Sequence, residues 1–147
     1  MKPAPVIKET DLAPASEAPA VAPEKKPAQP IEKKPAQPPP QQQASMQLVN
    51  RAKALMAQGK TDSAIPLLEK AIQVDQRNGE AFFNLARAWR SKGSRQKAIQ
   101  FAQKSEILFQ GDSTKLKQAY LLQADLYKEM GNVAKSDSYR QKASKLK

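Results

Sequence analysis

The sequence contains no cysteine and no histidine. Without cysteine there is no disulfide, no thiolate metal site and no thiol nucleophile. Without histidine the commonest general base and the commonest metal ligand are missing, and a Ser-His-Asp triad is excluded. Glycine is scarce, at five residues, and aromatic residues make up only 5%. No glycine-rich phosphate loop is present: Gly93-Ser94 and Gly111-Asp112-Ser113 are isolated turn signals. No run approaches the ~20 apolar residues of a membrane span. The start, Met1-Lys2-Pro3-Ala4-Pro5, is not followed by the apolar stretch of a signal peptide. The acids Asp62, Glu69, Asp75, Glu80, Asp125, Glu129 and Asp137 are scattered at surface-type spacings, with no converging pair for carboxylate catalysis. These absences argue against an enzyme. No cofactor and no metal site is expected.

What is present is unevenly distributed. Eleven of the 12 prolines lie in residues 1–44, and the twelfth is Pro66. Residues 1–44 have no aromatic side chain and a net charge of +1, so the rest of the chain carries +10. An electrostatic partner is therefore to be sought on the C-terminal part. Glu24-Lys25-Lys26-Pro27-Ala28-Gln29-Pro30 recurs as Glu32-Lys33-Lys34-Pro35-Ala36-Gln37-Pro38. Proline removes backbone donors, and too little apolar surface is available to offset the ordering entropy. The composition predicts a disordered Pro/Ala/Lys-rich linker or tether over 1–44, partly in polyproline II. Pro27-Ala28-Gln29-Pro30 and Pro35-Ala36-Gln37-Pro38 also match P-x-x-P, the pattern of a ligand for a proline-binding module.

The segment 45–147 repeats. Around Gly59 the chain carries Asn50, Ala52, Ala64, Ile65 and Lys70; laying Gly59 on Gly93 superimposes these on Asn84, Ala86, Ala98, Ile99 and Lys104. The third copy, around Gly131, follows at a spacing one helical turn longer, with Tyr120, Ala124, Tyr127, Ser136 and Ala143. Only small side chains let two helices approach closely, which assigns Ala52, Ala86 and Ala124 to the crossing of first helices with Ala64, Ala98 and Ser136 of second helices. The glycines fall where a first helix must end in a left-handed residue. Leu48 and Leu55, Phe82 and Trp89, and Tyr120 and Tyr127 are each seven apart, on one helical face. The four extra residues near 111–116 predict a third first-helix one turn longer, capped by Asp112 or Ser113.

This pattern resembles the tetratricopeptide repeat family, whose repeat of about 34 residues has a large residue near its start, a small-x-x-aromatic step, a glycine and an alanine in the second helix. The resemblance implies an all-α fold, an α-α superhelix of three helix-turn-helix repeats at about 45–78, 79–112 and 113–147. It implies a non-enzymatic scaffold or assembly factor that binds another protein. In such stacks the first helices line a concave face. Val49, Phe83 and Leu121, with Met46 and Met56, are expected to form an apolar stripe there, and Asn50, Lys53, Asn84, Arg87, Arg90 and Lys128 its basic and amide walls. Methionine and phenylalanine suit a peptide, and arginine suits carboxylates. The expected ligand is an acidic or amphipathic peptide segment of a partner protein. Some family members grip a C-terminal carboxylate with a defined set of Lys, Asn and Arg side chains. Here Asn84 matches one position, but Val49, Lys53, Gln118 and Leu122 occupy the others, so that clamp is not carried over.

The alternative is a basic, nucleic-acid-binding helical repeat protein, for which +10 on a small domain is a fair footprint. Against it, the cations are spread over many faces and Phe82, Trp89, Tyr120 and Tyr127 read as core rather than a stacking platform. The spacer resembles those of bacterial envelope proteins in composition. That implies a periplasmic or envelope-associated place for a trimmed, mature form, with a membrane tether such as a lipid anchor upstream, in a pilus, secretion or cell-wall machine; the cytoplasm is the alternative.

Overall fold

The computed structural model describes residues 38–147. Apart from Pro38, the repeated Pro-Ala-Gln-Pro segments, and with them most of the expected tether, lie outside the described residues. Among the described residues there are six helices and no strand: α1 (Pro40–Ala57), α2 (Thr61–Val74), α3 (Gly79–Ser91), α4 (Arg95–Leu108), α5 (Ser113–Glu129) and α6 (Val133–Ser144). Helix α1 begins inside the stretch expected to be disordered. Pro40 sits at its first position, where a missing N–H costs no intrahelical bond, and glutamines and alanine continue it.

Neighbouring helices pair as α1 with α2, α3 with α4 and α5 with α6, and α3 also touches both α1 and α5. The first helices are thus consecutive neighbours, as the expected superhelix requires. Ala52, Ala64, Ala86, Ala98 and Ala124 are all at 0% exposure and Ser136 at 2%. These are the positions that the repeat marked as close crossings.

Each first helix ends in the same way. Gly59, Gly93 and Gly131 have φ of +80°, +89° and +86°. The following residue's N–H reaches back to the last turn: Lys60 to Leu55 O at 2.8 Å, Ser94 to Trp89 O at 2.9 Å and Asn132 to Tyr127 O at 2.8 Å. This closes otherwise orphaned carbonyls and turns the chain into the next helix. Asn78, Asp112 and Asn132 cap the starts of α3, α5 and α6, their side-chain oxygens accepting from the N–H groups of Ala81, Lys115 and Lys135. Helix α5 has 17 residues against 13 in α3, which is the extra turn expected from the longer third repeat. Pro66 is the sixth residue of α2, and its ring faces solvent.

The core is a continuous seam. One cluster joins Val49, Ile65, Leu68, Ala81 and Leu85; a second joins Ala86, Ile99, Leu122, Leu126 and Tyr127; Trp89 and Phe101 pack against both. A third, of Phe109, Leu116 and Ala119, closes the α4–α5 corner. Near the other end, Asn78 Nδ2 donates to Ser45 Oγ at 2.7 Å, and Ser45 Oγ donates to Ala71 O at 2.7 Å, tying α1 to the α2–α3 connection.

Candidate peptide-binding groove

Residues one step beyond the core positions of α1, α3 and α5 define the first-helix face. The structure separates the expected set into three groups. Met56, Arg87 and Arg90 come together, with Ser91, Arg95 and Glu129, around a depression of about 330 Å³. Met46 lines a different depression of about 310 Å³, with Gln42, Asn78, Gly79, Phe109 and Lys115. The two methionines therefore do not share a site. Asn50, Lys53 and Lys128 are exposed, and Leu121 is half-buried.

Two of the expected lining residues are not available to a ligand. Val49 is at 0% exposure in the α1–α2–α3 core, because α3 packs directly over its side of α1. Asn84 is at 1% exposure. It has a structural and an orienting role instead: Nδ2 donates to Glu80 O at 2.8 Å, and Oδ1 accepts from Arg87 Nη1 at 3.0 Å. Phe83 is half-buried, its ring set against Phe109 at a centroid distance of 6.3 Å, so only part of it can form an apolar stripe.

Arg90 is also not the free carboxylate receptor expected. Its Nε donates to Glu129 Oε2 at 2.9 Å, its Nη2 donates to the same oxygen, and Asp125 lies 3.9 Å from Nη1. Arg95 Nε donates to the other Glu129 oxygen at 3.0 Å, and Arg140 donates to Asp125 at 3.1 Å. Helices α3, α4, α5 and α6 are thus linked by one ion network. The hydrogen bond from Arg90 holds the Glu129 carboxyl below its usual pKa, with Arg95 adding to it. The reciprocal bond from Glu129 raises the Arg90 pKa, so Arg90 is a permanent cation.

What remains is an uneven balance of charge. Three guanidinium groups, Arg87, Arg90 and Arg95, line the depression with one carboxylate, Glu129, while Asp125, beside Arg90, is shared with Arg140. Arg87 has no carboxylate partner among the described residues, and its one hydrogen bond to Asn84 fixes its direction while leaving other N–H groups unused. Such a fork binds carboxylate well. Met56 supplies an adaptable apolar wall. The sequence did not point to Arg95 or Glu129. Arg90 and Glu129 are 39 residues apart, and only the stacking of α3 on α5 brings them together.

Comparisons agree with this architecture. A family model for the tetratricopeptide repeat matches residues 49–113. No curated protein matches the sequence. Among solved structures, the globular C-terminal domain of P. aeruginosa LpoP is similar, with 23% identity and a TM-score of 0.66, over 69% of this chain and 95% of that one. The N-terminal domain of stress-induced protein-1 from C. elegans has 15% identity and a TM-score of 0.67, over 72% and 86%. The second repeat domain of Spaghetti, solved with the HSP90 peptide SRMEEVD, has 18% identity and a TM-score of 0.64, over 72% and 94%. At these identities the likeness is one of fold.

Proposed function

Because the chain belongs to the tetratricopeptide repeat family, we propose that it is a non-enzymatic protein-interaction scaffold that holds an acidic or amphipathic segment of a partner protein on its first-helix face. The observation that carries this reading is the depression at Met56, Arg87, Arg90 and Arg95, whose lining holds three guanidiniums and one carboxylate, with Arg87 paired to no carboxylate among the described residues. An acidic side chain of a partner would complete the balance at Arg87, and Met56 would take a neighbouring apolar group. A related domain was solved with the acidic peptide SRMEEVD, which supports a peptide ligand for the fold. The chemistry here is different, since apart from Asn84 the positions of the family's carboxylate clamp hold Val49, Lys53, Gln118 and Leu122.

The cellular setting belongs to the same proposal. The Ala/Pro/Lys/Glu composition of residues 1–44 supports a tether in a bacterial envelope complex, in the periplasm, where it would let the module search a volume around its anchor. The similar domain of P. aeruginosa LpoP is that protein's globular C-terminal domain, and in this chain the repeats likewise lie C-terminal to another segment, the Pro-rich one.

The test is affinity capture with the wild-type chain and with Arg87→Glu. Phe83→Ala is a poor probe, because Phe83 packs on Phe109 and its loss would disturb the fold as well as the groove. Arg87 is exposed and its reversal leaves the core intact. One partner should be captured by the wild type and lost, or weakened by about tenfold or more, with Arg87→Glu. Capture of every partner at undiminished yield by Arg87→Glu would overturn the groove assignment.

A further inference from the structure

The second helices carry a charge pattern that the groove does not use. Lys97 Nζ lies over the Trp89 ring at 4.1 Å and Lys104 Nζ over Phe82 at 5.9 Å. The next repeat has the same arrangement at the equivalent positions, with Lys135 over Tyr127 at 5.1 Å and Lys142 over Tyr120 at 5.8 Å. All four lysines are exposed, and none has a carboxylate partner among the described residues. At ~100° per residue, Lys97, Lys104 and Ile107 fall within about 80° of arc on α4, and Lys135 and Lys142 fall at the same offsets along α6, with Lys145 just past its end. The only acids of these helices, Glu106 and Asp137, fall on the opposite sides. Glu106 is engaged there by Gln123 at 2.8 Å.

Beside Lys104 the face is apolar. Ile107 is 68% exposed, the highest value among the large apolar side chains described. It borders a cleft of about 160 Å³ with Phe82, Leu108, Lys104 and Gln76. A cavity of about 150 Å³ holds a benzene ring, so this cleft has room for one apolar side chain. Ile107 beside Phe82, with Lys104 and Gln76 at the edge, has the apolar-centre, polar-rim layout of a protein interface.

We propose that the Lys104–Ile107 side of α4 is a second docking surface, for an acidic protein segment that inserts one apolar side chain beside Phe82 and Ile107. Charge complementarity sets the sign of the partner: the outer lysines face no acid of their own helices. The cleft sets its class. A phosphate polymer has no apolar group to fill it, and the rings that bases would stack on are covered by the chain's own lysines. Lysines held over rings act as point charges, suited to a run of carboxylates rather than to one bidentate contact. The surface is independent of the groove, so the module can hold two partners at once.

The test uses the full chain and a short labelled peptide of glutamates and serines with one central phenylalanine, followed by fluorescence anisotropy at low salt. Measured in the Arg87→Glu background, where the groove does not compete for the acidic peptide, binding is expected to weaken about tenfold in Lys104→Glu, in Ile107→Asp and on replacing the peptide's phenylalanine by serine. Both variants change exposed side chains, and circular dichroism checks that they stay folded. Undiminished binding to Lys104→Glu and Ile107→Asp, or indifference to the peptide's phenylalanine, overturns the proposal. A single-stranded oligonucleotide or a phosphatidylglycerol vesicle that binds more tightly than the peptide, and equally well to Ile107→Asp, assigns the face to phosphate and overturns it too.

Discussion

Two glycines show how differently single residues are set. Gly93 ends α3 at φ +89°, and an added Cβ would meet nothing within 4 Å. Its replacement by alanine costs only the left-handed strain, about 1–2 kcal/mol. Gly79 opens α3 with a helical backbone, where alanine's better helix propensity normally favours it. Here a Cβ would sit 2.5 Å from Phe109 Cε1. Gly79→Ala should therefore destabilise the fold despite its better helix propensity; chemical denaturation of both variants checks this. The repeat made Gly59, Gly93 and Gly131 legible in the sequence, because their need is local. Gly79 was not legible, because its need comes from the Phe109 ring, beyond the far end of α4. The same limit applies to Val49 and Asn84, which helical spacing put in the groove. They lie at 0% and 1% exposure because the angle at which α1 and α3 pack is set by the whole interface.

At the scale of elements, the helix pairs were readable from the period of the repeat, and α5 from the four added residues. The ion network was not. Arg90 looked like a ligand-binding arginine, yet Glu129 of α5 already holds it. That pair makes a pH prediction. The Glu129 pKa is lowered in the folded chain, so its contribution is present above the usual carboxylate range of about 4 and is lost as pH falls through the lowered value. Both partners are about one-third exposed, and the effect should stay near or below about 1 kcal/mol. Glu129→Gln should lower the urea midpoint at neutral pH and match the wild type once the carboxyl is protonated. A deficit that persists unchanged at low pH would mean that packing, not charge, is what the substitution disturbs.

For the whole molecule, the third repeat works as a cap. Tyr139 of α6 stacks on Tyr127 at 5.7 Å and meets Tyr120 at 6.0 Å, while the outer side of α6 is polar. A chain ending at Gly131 would expose both rings of α5. It should lose stability and associate in solution, while hydrogen exchange should still protect α1 to α4, whose core is anchored by Leu68 and Leu85. Loss of all protection together would show instead that the stack folds only as one unit. The fold as a whole was legible because a repeat writes its packing rule several times. The binding chemistry was only partly so, because each groove residue is written once.

The central claim is that a partner segment lies beside Arg87. A photo-crosslinking residue placed at Ser91, an exposed position on the rim of the same depression, tests it most directly in living cells. The account predicts a discrete covalent adduct from Ser91, none from Asp137 on α6, and loss of the Ser91 adduct when Arg87 is changed to glutamate. No adduct at Ser91, or one that survives Arg87→Glu at full yield, would contradict it.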